Sequence, residues 1–221
     1  GSKLVPQNMP YYRMGVDPYD SDTPVLKGSD GAFTVFRKFN LLHEDQNKLQ
    51  FDDNGEVVNT WDMKTNQYVC SYKFRHKNPD DFYRDVILTA WFFGIQFYAE
   101  VDKPGLVQWA KRFGYKHLIQ YEPGELIANL YRKRDARYGS KTTTHLVANY
   151  VDLLSAHISR YIWAEKIPSL IYQWMYFETA KRTKFDLAVA SGWTLIADME
   201  HKKEAPDEKP VWGANSFYLN N

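Results

Sequence analysis

The chain has 221 residues, with 28 lysines and arginines against 27 aspartates and glutamates. This near balance excludes a strongly positive protein, so any nucleic-acid contact would come from a local basic patch. The length fits one large domain or at most two small ones, and we expect one.

Cysteine content and hydropathy indicate the setting in which the protein works. Cys70 is the single cysteine, which excludes an internal disulfide and a thiolate zinc cluster and fits a reducing compartment. No apolar run approaches the roughly 18 residues of a membrane span, and the N-terminus lacks the segments of a secretory signal. We therefore expect a soluble protein with no membrane partner. Residues 1–2 resemble the scar of a cleaved expression tag, so we expect a domain excised from a longer protein.

The first predicted strand ends on Asp17. Apolar and aromatic residues run from Tyr11 into this carboxylate, Gly15 allows close approach of another backbone, and Pro18 holds Asp17 extended. Three more acids follow in the next loop: Asp20, Asp22 and Asp30. Such crowding is costly unless a cation lies among the carboxylates, although an Asp-Pro pair also simply starts turns.

Alternating β-forming residues predict a second strand over 32–39 and a third over 67–74. Between them, the pair Asn54-Gly55 is flanked by β-prone residues, which indicates a tight hairpin turn. The first three strands are therefore predicted to form an antiparallel meander.

Helices and further strands follow this meander. Pro79 opens a helix that Gly94 ends. A fourth strand is predicted over 95–102, a helix over 106–113 and a short fifth strand over 116–120. A meander followed by βαβ units predicts an α/β protein with a mixed sheet of order 3-2-1-4-5, in which strand two is antiparallel, and with helices on both faces.

The C-terminal part contains a basic loop and three predicted helices. Residues 131–141 lack periodicity, and their cations are candidates either for DNA contact or for a solvated loop: Arg132, Lys133, Arg134, Arg137 and Lys141. Helices are predicted over 146–162, 168–182 and 186–199. The tail, 201–221, is rich in lysine, glutamate and proline, which predicts a loose segment.

Three acids occur where elements end or begin. Asp17 ends strand one, Glu100 or Asp102 ends strand four, and Asp186 opens the last helix. Strands one and four are neighbours in the predicted sheet, and with the last helix packed across their junction the carboxylates converge. Oxygen-only clusters select Mg²⁺ or Mn²⁺, and two such ions roughly 3.5–4 Å apart cleave phosphodiesters.

Five motifs in order make this pattern more specific. They are Gly-Val-Asp-Pro at 15–18, Ser-Asp-Gly-Ala-Phe-Thr-Val-Phe at 29–36, Phe-Tyr-Ala-Glu-Val-Asp-Lys-Pro-Gly at 97–105, Tyr-Gly-Ser-Lys-Thr-Thr at 138–143 and Phe-Asp-Leu-Ala-Val-Ala at 185–190. Over residues 11–198 the chain resembles the C-terminal nuclease domain of tailed-phage terminase large subunits. The resemblance implies a ribonuclease H-like nuclease domain at 3–200 that cuts concatemeric viral DNA during packaging.

The resemblance also implies a site and its partners. Asp17, Glu100 and Asp186 become the catalytic acids and the ligands of two Mg²⁺ or Mn²⁺ ions. The substrate is double-stranded DNA in the host cell cytoplasm. In the full-length protein the further partners are a packaging ATPase domain, a portal and a small terminase subunit.

Two departures from the family pattern bear on these implications. Phe185-Asp186 stands where the family often has an acid pair, so one extra ligand is missing. No Gly-x-x-x-x-Gly-Lys-Ser/Thr motif occurs, so the ATPase half is absent, as expected for an excised domain.

Neighbouring charged residues are candidates for supporting roles. Asp30 and Asp102 are expected to support the metal ligands or to be solvated, and either is able to replace the missing ligand. Lys184, like Lys181 and Arg182, either offsets charge on the scissile phosphate or is an ordinary basic residue at a helix end.

Two rival functions stay open from the sequence. One is a Holliday-junction resolvase or transposase-like catalytic domain, and the other is a non-catalytic ribonuclease H-like module that binds protein or nucleic acid. The six histidines show no ligand spacing, so we expect each to be exposed or hydrogen-bonded: His43, His76, His117, His145, His157 and His201.

Overall fold

The computed structural model describes residues 8–19, 29–38, 50–51, 53, 57–59, 66–121 and 138–199. Several predicted features lie outside these residues. They are the tag scar at 1–2, the acids Asp20 and Asp22, the turn at Asn54-Gly55, the cations Arg132, Lys133, Arg134 and Arg137, and the tail at 201–221.

The described residues form an α/β fold with a four-stranded mixed sheet and a separate two-stranded one. In chain order the strands are β1 (Tyr12–Asp17), β2 (Gly31–Arg37), β3 (Gln50–Phe51), β4 (Val57–Asn59), β5 (Gln67–Phe74) and β6 (Phe97–Ala99). The main sheet has the order β5-β2-β1-β6. β1 pairs antiparallel with β2 and parallel with β6, and β2 pairs antiparallel with β5.

Five α-helices pack around this sheet in the described part of the chain. They are α1 (Pro79–Phe93), α2 (Gly105–Arg112), α3 (Thr144–Tyr161), α4 (Pro168–Met175) and α5 (Asp186–Met199). Short 3-10 helices occur at Lys116–Leu118, Ile162–Ala164 and Thr179–Lys184. None of the helices described is both long and apolar enough to cross a membrane.

The α/β class and the mixed sheet are confirmed, but the five strands and the ribonuclease H order are not. Residues 116–120, predicted as strand five, begin with the 3-10 helix Lys116–Leu118. Its turn is closed by hydrogen bonds from the Leu118 nitrogen to the Tyr115 oxygen and from the Ile119 nitrogen to the Lys116 oxygen. Only an isolated bridge between Phe97 and Ile119 reaches the sheet, because the turn uses the residues that a strand needs.

Two predicted element ends are also wrong. The helix predicted over 168–182 ends at Met175, since Phe177 turns inward and packs edge-on against Phe185, 5.8 Å between ring centres. The strand predicted over 95–102 is limited to Phe97–Ala99.

The side chains of β1 pack against different helices on the two faces of the sheet. Met14 and Val16 point into a core formed with α1 and α2. Because strand side chains alternate between faces, Arg13, Gly15 and Asp17 lie on the other face, against α5. A Cβ on Gly15 would clash with the Thr194 nitrogen and lie 2.6 Å from the Ala190 oxygen. Glycine therefore allows α5 to pack directly on the strand.

Candidate active site

Asp17 and Asp186 reach the same end of the sheet through the packing of α5 on β1. Gly15 contacts Ala190. Two residues along the strand, about 6.6 Å, lead to Asp17, and four residues back along the helix, about 6 Å, lead to Asp186. The first turn of α5 is fixed there by Gln173, whose Oε1 accepts hydrogen bonds from the nitrogens of Leu187 and Ala188 at 2.9 and 3.2 Å.

Glu100 joins them from β6, the parallel neighbour of β1. Val16 pairs with Ala99, and the Glu100 nitrogen donates to the Val16 oxygen at 3.3 Å. On its other side Glu100 forms a bridge with Ser140. This approach requires Gly139, with φ of 63°, because a Cβ there would lie 2.8 Å from the Val101 Cγ1 and would clash with the Ala99 oxygen.

The three acids are all buried, with 4 % of Asp17, 9 % of Glu100 and 2 % of Asp186 exposed. A cavity of about 90 Å³ opens beside Asp17 and Glu100, enough for several waters or a hydrated cation. Ten residues line it: Asp17, Ser29, Glu100, Lys103, Thr142, Tyr150, Arg182, Thr183, Val189 and Trp193.

Two lysines pair with the carboxylates at this end of the sheet. The Lys103 Nζ lies 3.0 Å from Asp17 Oδ1 and 3.7 Å from Glu100 Oε2. The Lys73 Nζ lies 2.9 Å from Asp186 Oδ2 and 3.6 Å from Asp30 Oδ2. Four carboxylates therefore share two ammonium groups in these contacts.

Hydroxyl groups fix the orientation of two acids. Thr142 Oγ1 donates to Glu100 Oε1, and the Thr142 nitrogen donates to Asp102 Oδ2 at 2.8 Å. Ser29 Oγ donates to Asp186 Oδ1. The Tyr-Gly-Ser-Lys-Thr-Thr and Ser-Asp-Gly motifs thus supply groups that hold carboxylates in place.

Electrostatics at the site disfavour a charged Asp17. Burial raises the pKa of Asp17 to about 8; Lys103 opposes the rise, and Glu100 and Asp186 add to it. Burial opposes the charge of Lys103 as well, but Asp17, Glu100 and Asp186 together raise its pKa above the ordinary value. The carboxylates are therefore close enough to repel one another even with a lysine present.

Two buried donors at the cavity have no hydrogen-bond partner among the residues that the structure describes. They are the Tyr150 hydroxyl and the Trp193 Nε1, each in a side chain that is 1 % exposed. Buried donors of this kind require an explanation such as a water, an ion or a ligand. Arg182 lines the same cavity.

The predicted ligands do not form a metal cage in this structure. Within the described ranges, no group of three or more histidine, cysteine, aspartate and glutamate side chains is arranged to hold a metal ion. The physical reason is visible in the contacts, since Lys103 and Lys73 lie against the acids. Binding of two Mg²⁺ or Mn²⁺ ions stays a prediction.

The candidates for supporting roles have different positions. Asp30 contacts the site through Lys73, whereas Asp102 is exposed and accepts from Thr142. Lys184 and Lys141 are exposed, and Lys181 pairs with Glu178 at 2.8 Å. Of the three basic residues before Asp186, Arg182 is the one that lines the cavity.

Sequence reasoning missed Lys73, Lys103 and Tyr150 as site residues. Lys103 lies within the motif at 97–105, but the motif gives no sign that its side chain pairs with the acids. Lys73 lies in a strand, and its pairing depends on the register with β2. Tyr150 fits the apolar spacing of a helix, which gives no signal for its hydroxyl.

Two histidines depart from expectation, since His117 is half-buried and its Nδ1 lacks a hydrogen-bond partner within the described residues, and His157 departs further. His157 is 6 % exposed, and its Nε2 lacks a hydrogen-bond partner within the described residues. It packs among aromatic rings, including those of Phe36, Tyr68 and Trp174. His157 lies further along α3 than Tyr150, which lines the cavity beside the acids, and its aromatic surroundings indicate a structural role.

The chain was compared with protein-family models, with curated proteins and with solved structures. No family model matches, and neither of the other two comparisons gave a match. The resemblance to terminase nucleases therefore stays a prediction from the sequence motifs.

Proposed function

We propose that this chain is a metal-dependent DNA endonuclease domain with a ribonuclease H-like fold, of the kind that cuts concatemeric DNA in viral packaging terminases. One observation carries the proposal. Three buried carboxylates, at the end of β1, just after β6 and at the start of α5, lie close enough to interact, and they have fewer cations than acids in direct contact. Asp17 and Glu100 line one cavity, and Asp186 is joined to it through Ser29. Evolved cores rarely retain such crowding without a bound cation.

The donor set fits a divalent cation. Carboxylate oxygens are the ligands that Mg²⁺ and Mn²⁺ prefer. A cation would offset the burial, and the repulsion from Glu100 and Asp186, that raise the pKa of Asp17. Asp17, Glu100 and Asp186 are the residues that would hold it. Lys103 would have to move aside, and it has room to do so because 31 % of its side chain is exposed.

The chain's own residues would prepare this site. When bound, divalent cations supply an activated water and stabilise the leaving oxygen of a phosphodiester. Thr142 and Ser29 orient Glu100 and Asp186. Burial of the acids excludes bulk water, so the charges act in a medium of low polarity.

A polymeric substrate is favoured by the surface next to the site. A second cavity of about 620 Å³ is lined by Asp30, Lys73 and Arg75 together with the exposed aromatic side chains of Phe74 and Tyr172. Lys73 belongs to both regions, since it also contacts Asp186. Cations contact phosphates and aromatic rings stack on bases, so this surface suits nucleic acid leaving the cavity.

The test is cleavage of a supercoiled plasmid by the purified chain. We expect nicking and linearisation with little sequence preference in Mn²⁺ or Mg²⁺, and none in Ca²⁺ or EDTA. Asp17→Asn should be inactive, whereas Asp152→Asn, an equal charge change at an exposed position on α3, should cut like the wild type. Intact plasmid after prolonged incubation with excess protein and Mn²⁺ would contradict the proposal.

A second candidate is a non-catalytic ribonuclease H-like module. It is favoured by the pairing of Lys103 and Lys73 with the acids and by the lack of a formed metal cage in the described residues. In that case Mn²⁺ would raise neither the melting temperature nor the cleavage rate. A melting temperature that rises with Mn²⁺ concentration in the wild type but not in Asp17→Asn favours the nuclease.

A further inference from the structure

The hydroxyl of Tyr150 is a buried donor without a partner among the described residues. Tyr150 lies on α3 and is 1 % exposed. Its ring packs tightly on α5, since a Cβ on Gly192 would lie 2.6 Å from Tyr150 Cδ2, and its centre is 5.9 Å from that of Trp193. The hydroxyl is therefore held in place and cannot swing away to find a partner.

The surroundings of this hydroxyl are those of the candidate active site. Tyr150 lines the same cavity as Asp17, Glu100 and Arg182. Burial raises the pKa of Tyr150 to about 12, Arg182 opposes the rise, and Asp17 and Glu100 add to it. The hydroxyl thus keeps its proton at neutral pH and is available as a donor beside a guanidinium.

We propose that Tyr150 and Arg182 bind an oxygen of the substrate phosphate at the candidate active site. The inference rests on the proposed function for the identity of the ligand. A tyrosine hydroxyl donates to phosphate oxygens, and an arginine guanidinium pairs with them in a planar, two-pronged geometry. The carboxylates of Asp17 and Glu100 line the same cavity and repel a phosphate, so neutral and positive donors are needed to hold it.

Paired Tyr→Phe variants test this assignment. Tyr68 is the matched control because it is also buried beside α5, but its hydroxyl donates to the Ser191 oxygen at 2.9 Å. Tyr150→Phe should keep or raise the melting temperature, because it removes an unpartnered polar group, and should lower kcat/KM for DNA about tenfold. Tyr68→Phe should lower the melting temperature and leave cleavage unchanged.

Binding of thymidine 3′,5′-bisphosphate, measured by calorimetry with and without Mn²⁺, separates this inference from the proposed function. We expect Tyr150→Phe to bind it about tenfold more weakly than the wild type. If the plasmid stays intact but this loss is found, Tyr150 is a phosphate-binding residue and the nuclease proposal fails alone. If Tyr150→Phe cuts and binds like the wild type, or the wild type does not bind the bisphosphate, Tyr150 holds only a buried water and the inference is wrong.

Discussion

The same strand and helix carry a charged cluster at each end of their contact. At one end, Arg13 of β1 faces Asp198 of α5, and at the other, Asp17 faces the Asp186 end of that helix. Both clusters lie on the α5 face of the sheet and are buried. They differ in the sign of the charge in excess, with more cations than carboxylates in contact at the Arg13 end and more carboxylates than cations at the Asp17 end.

At the Arg13 end, two cations contact one carboxylate, that of Asp198. Arg13 donates to the oxygens of Met9 and Tyr12, and its Nε lies 3.9 Å from Asp198 Oδ1. Lys38 adds a contact of 2.8 Å to the same carboxylate. Burial lowers the pKa of Arg13 to about 10 although Asp198 opposes this, so the guanidinium stays charged at neutral pH. This end is a structural ion pair.

The Asp17 end has more carboxylates than cations, and it has buried donors without hydrogen-bond partners within the described residues. Four carboxylates share two lysines, and Tyr150 and Trp193 present unpartnered donors within the described part of the chain. Asp17, Glu100, Tyr150 and Trp193 line one cavity. Arg13 instead donates to two backbone carbonyls, although its Nε has no hydrogen-bond partner within the described residues. The comparison teaches that burial of charge alone does not mark a functional site. An excess of carboxylates over cations, beside a cavity that buried donors also line, does.

The largest expected effect is on catalysis. Asp17→Asn should lower plasmid cleavage in Mn²⁺ by roughly 1,000-fold, since an amide is a poor ligand for a divalent cation. The fold should be retained, and without metal the variant should be more stable than the wild type. The pKa of Asp17 is raised in the folded state, so its ionisation opposes folding as pH rises from about 4 to about 8. Cleavage at the wild-type rate would contradict this.

The same substitution at the opposite end should act on stability with the opposite sign. Asp198→Asn removes the carboxylate from a buried guanidinium and from Lys38, and we expect a loss of about 3 kcal/mol in the free energy of unfolding. Urea unfolding of both variants at pH 7 measures the contrast. Equal effects of Asp17→Asn and Asp198→Asn on stability would remove the distinction between the two ends.

Gly15→Ala tests the packing of β1 on α5 between the Asp17 end and the Arg13 end. The added Cβ meets the backbone of Ala190 and Thr194, which cannot move without shifting α5. We expect a loss of about 2–3 kcal/mol in stability and weaker Mn²⁺ binding, because Asp186 moves relative to Asp17. Val16→Ala is the control, since it faces α1 and α2 and should lower stability without changing Mn²⁺ affinity.

The smallest expected effect concerns pH and His157, which lines a cavity together with Asp198 of the Arg13 end. Burial lowers the pKa of His157 to about 4, below the value of about 6.5 in the unfolded chain. The unfolded state therefore binds more protons, and stability present above pH 6.5 is lost as pH falls towards 4. The nearby charged groups are Arg160 and Asp198, which line the adjoining cavity.

The change between pH 7.5 and pH 5 measures this contribution. The wild type should lose about 2 kcal/mol more than His157→Phe over that interval, as followed by urea unfolding at both pH values. An identical pH dependence of the two proteins would show that His157 does not contribute.

Features that are set by neighbouring residues could be predicted from the sequence, and features that depend on long-range packing could not. The strand at Gln67–Phe74, the first helix from Pro79 and the last from Asp186 were predicted because their periodicity and capping residues are local signals. The placement of Asp17, Glu100 and Asp186 at element ends followed from those boundaries. The fifth strand failed because a tight turn at Tyr115–Leu118 competes with a short β pattern.

The partners of the acids could not be predicted in the same way. Lys73 reaches Asp186 across 113 positions of sequence, and only the register of β5 on β2 and the packing of α5 bring them together. Tyr150 reads as an apolar position of α3, since helical spacing reports the face of a residue and not the surroundings of its hydroxyl. Packing between segments that are distant in sequence therefore decides which charged and polar groups find partners.

We propose that the carboxylates at the Asp17 end bind a divalent cation. Calorimetric titration of Mn²⁺ into the metal-free protein tests it most directly, with Asp17→Asn and Asp198→Asn titrated in parallel. We expect the wild type and Asp198→Asn to bind Mn²⁺ saturably, and Asp17→Asn to lose Mn²⁺ binding. No binding by the wild type, or equal binding by all three proteins, would contradict it.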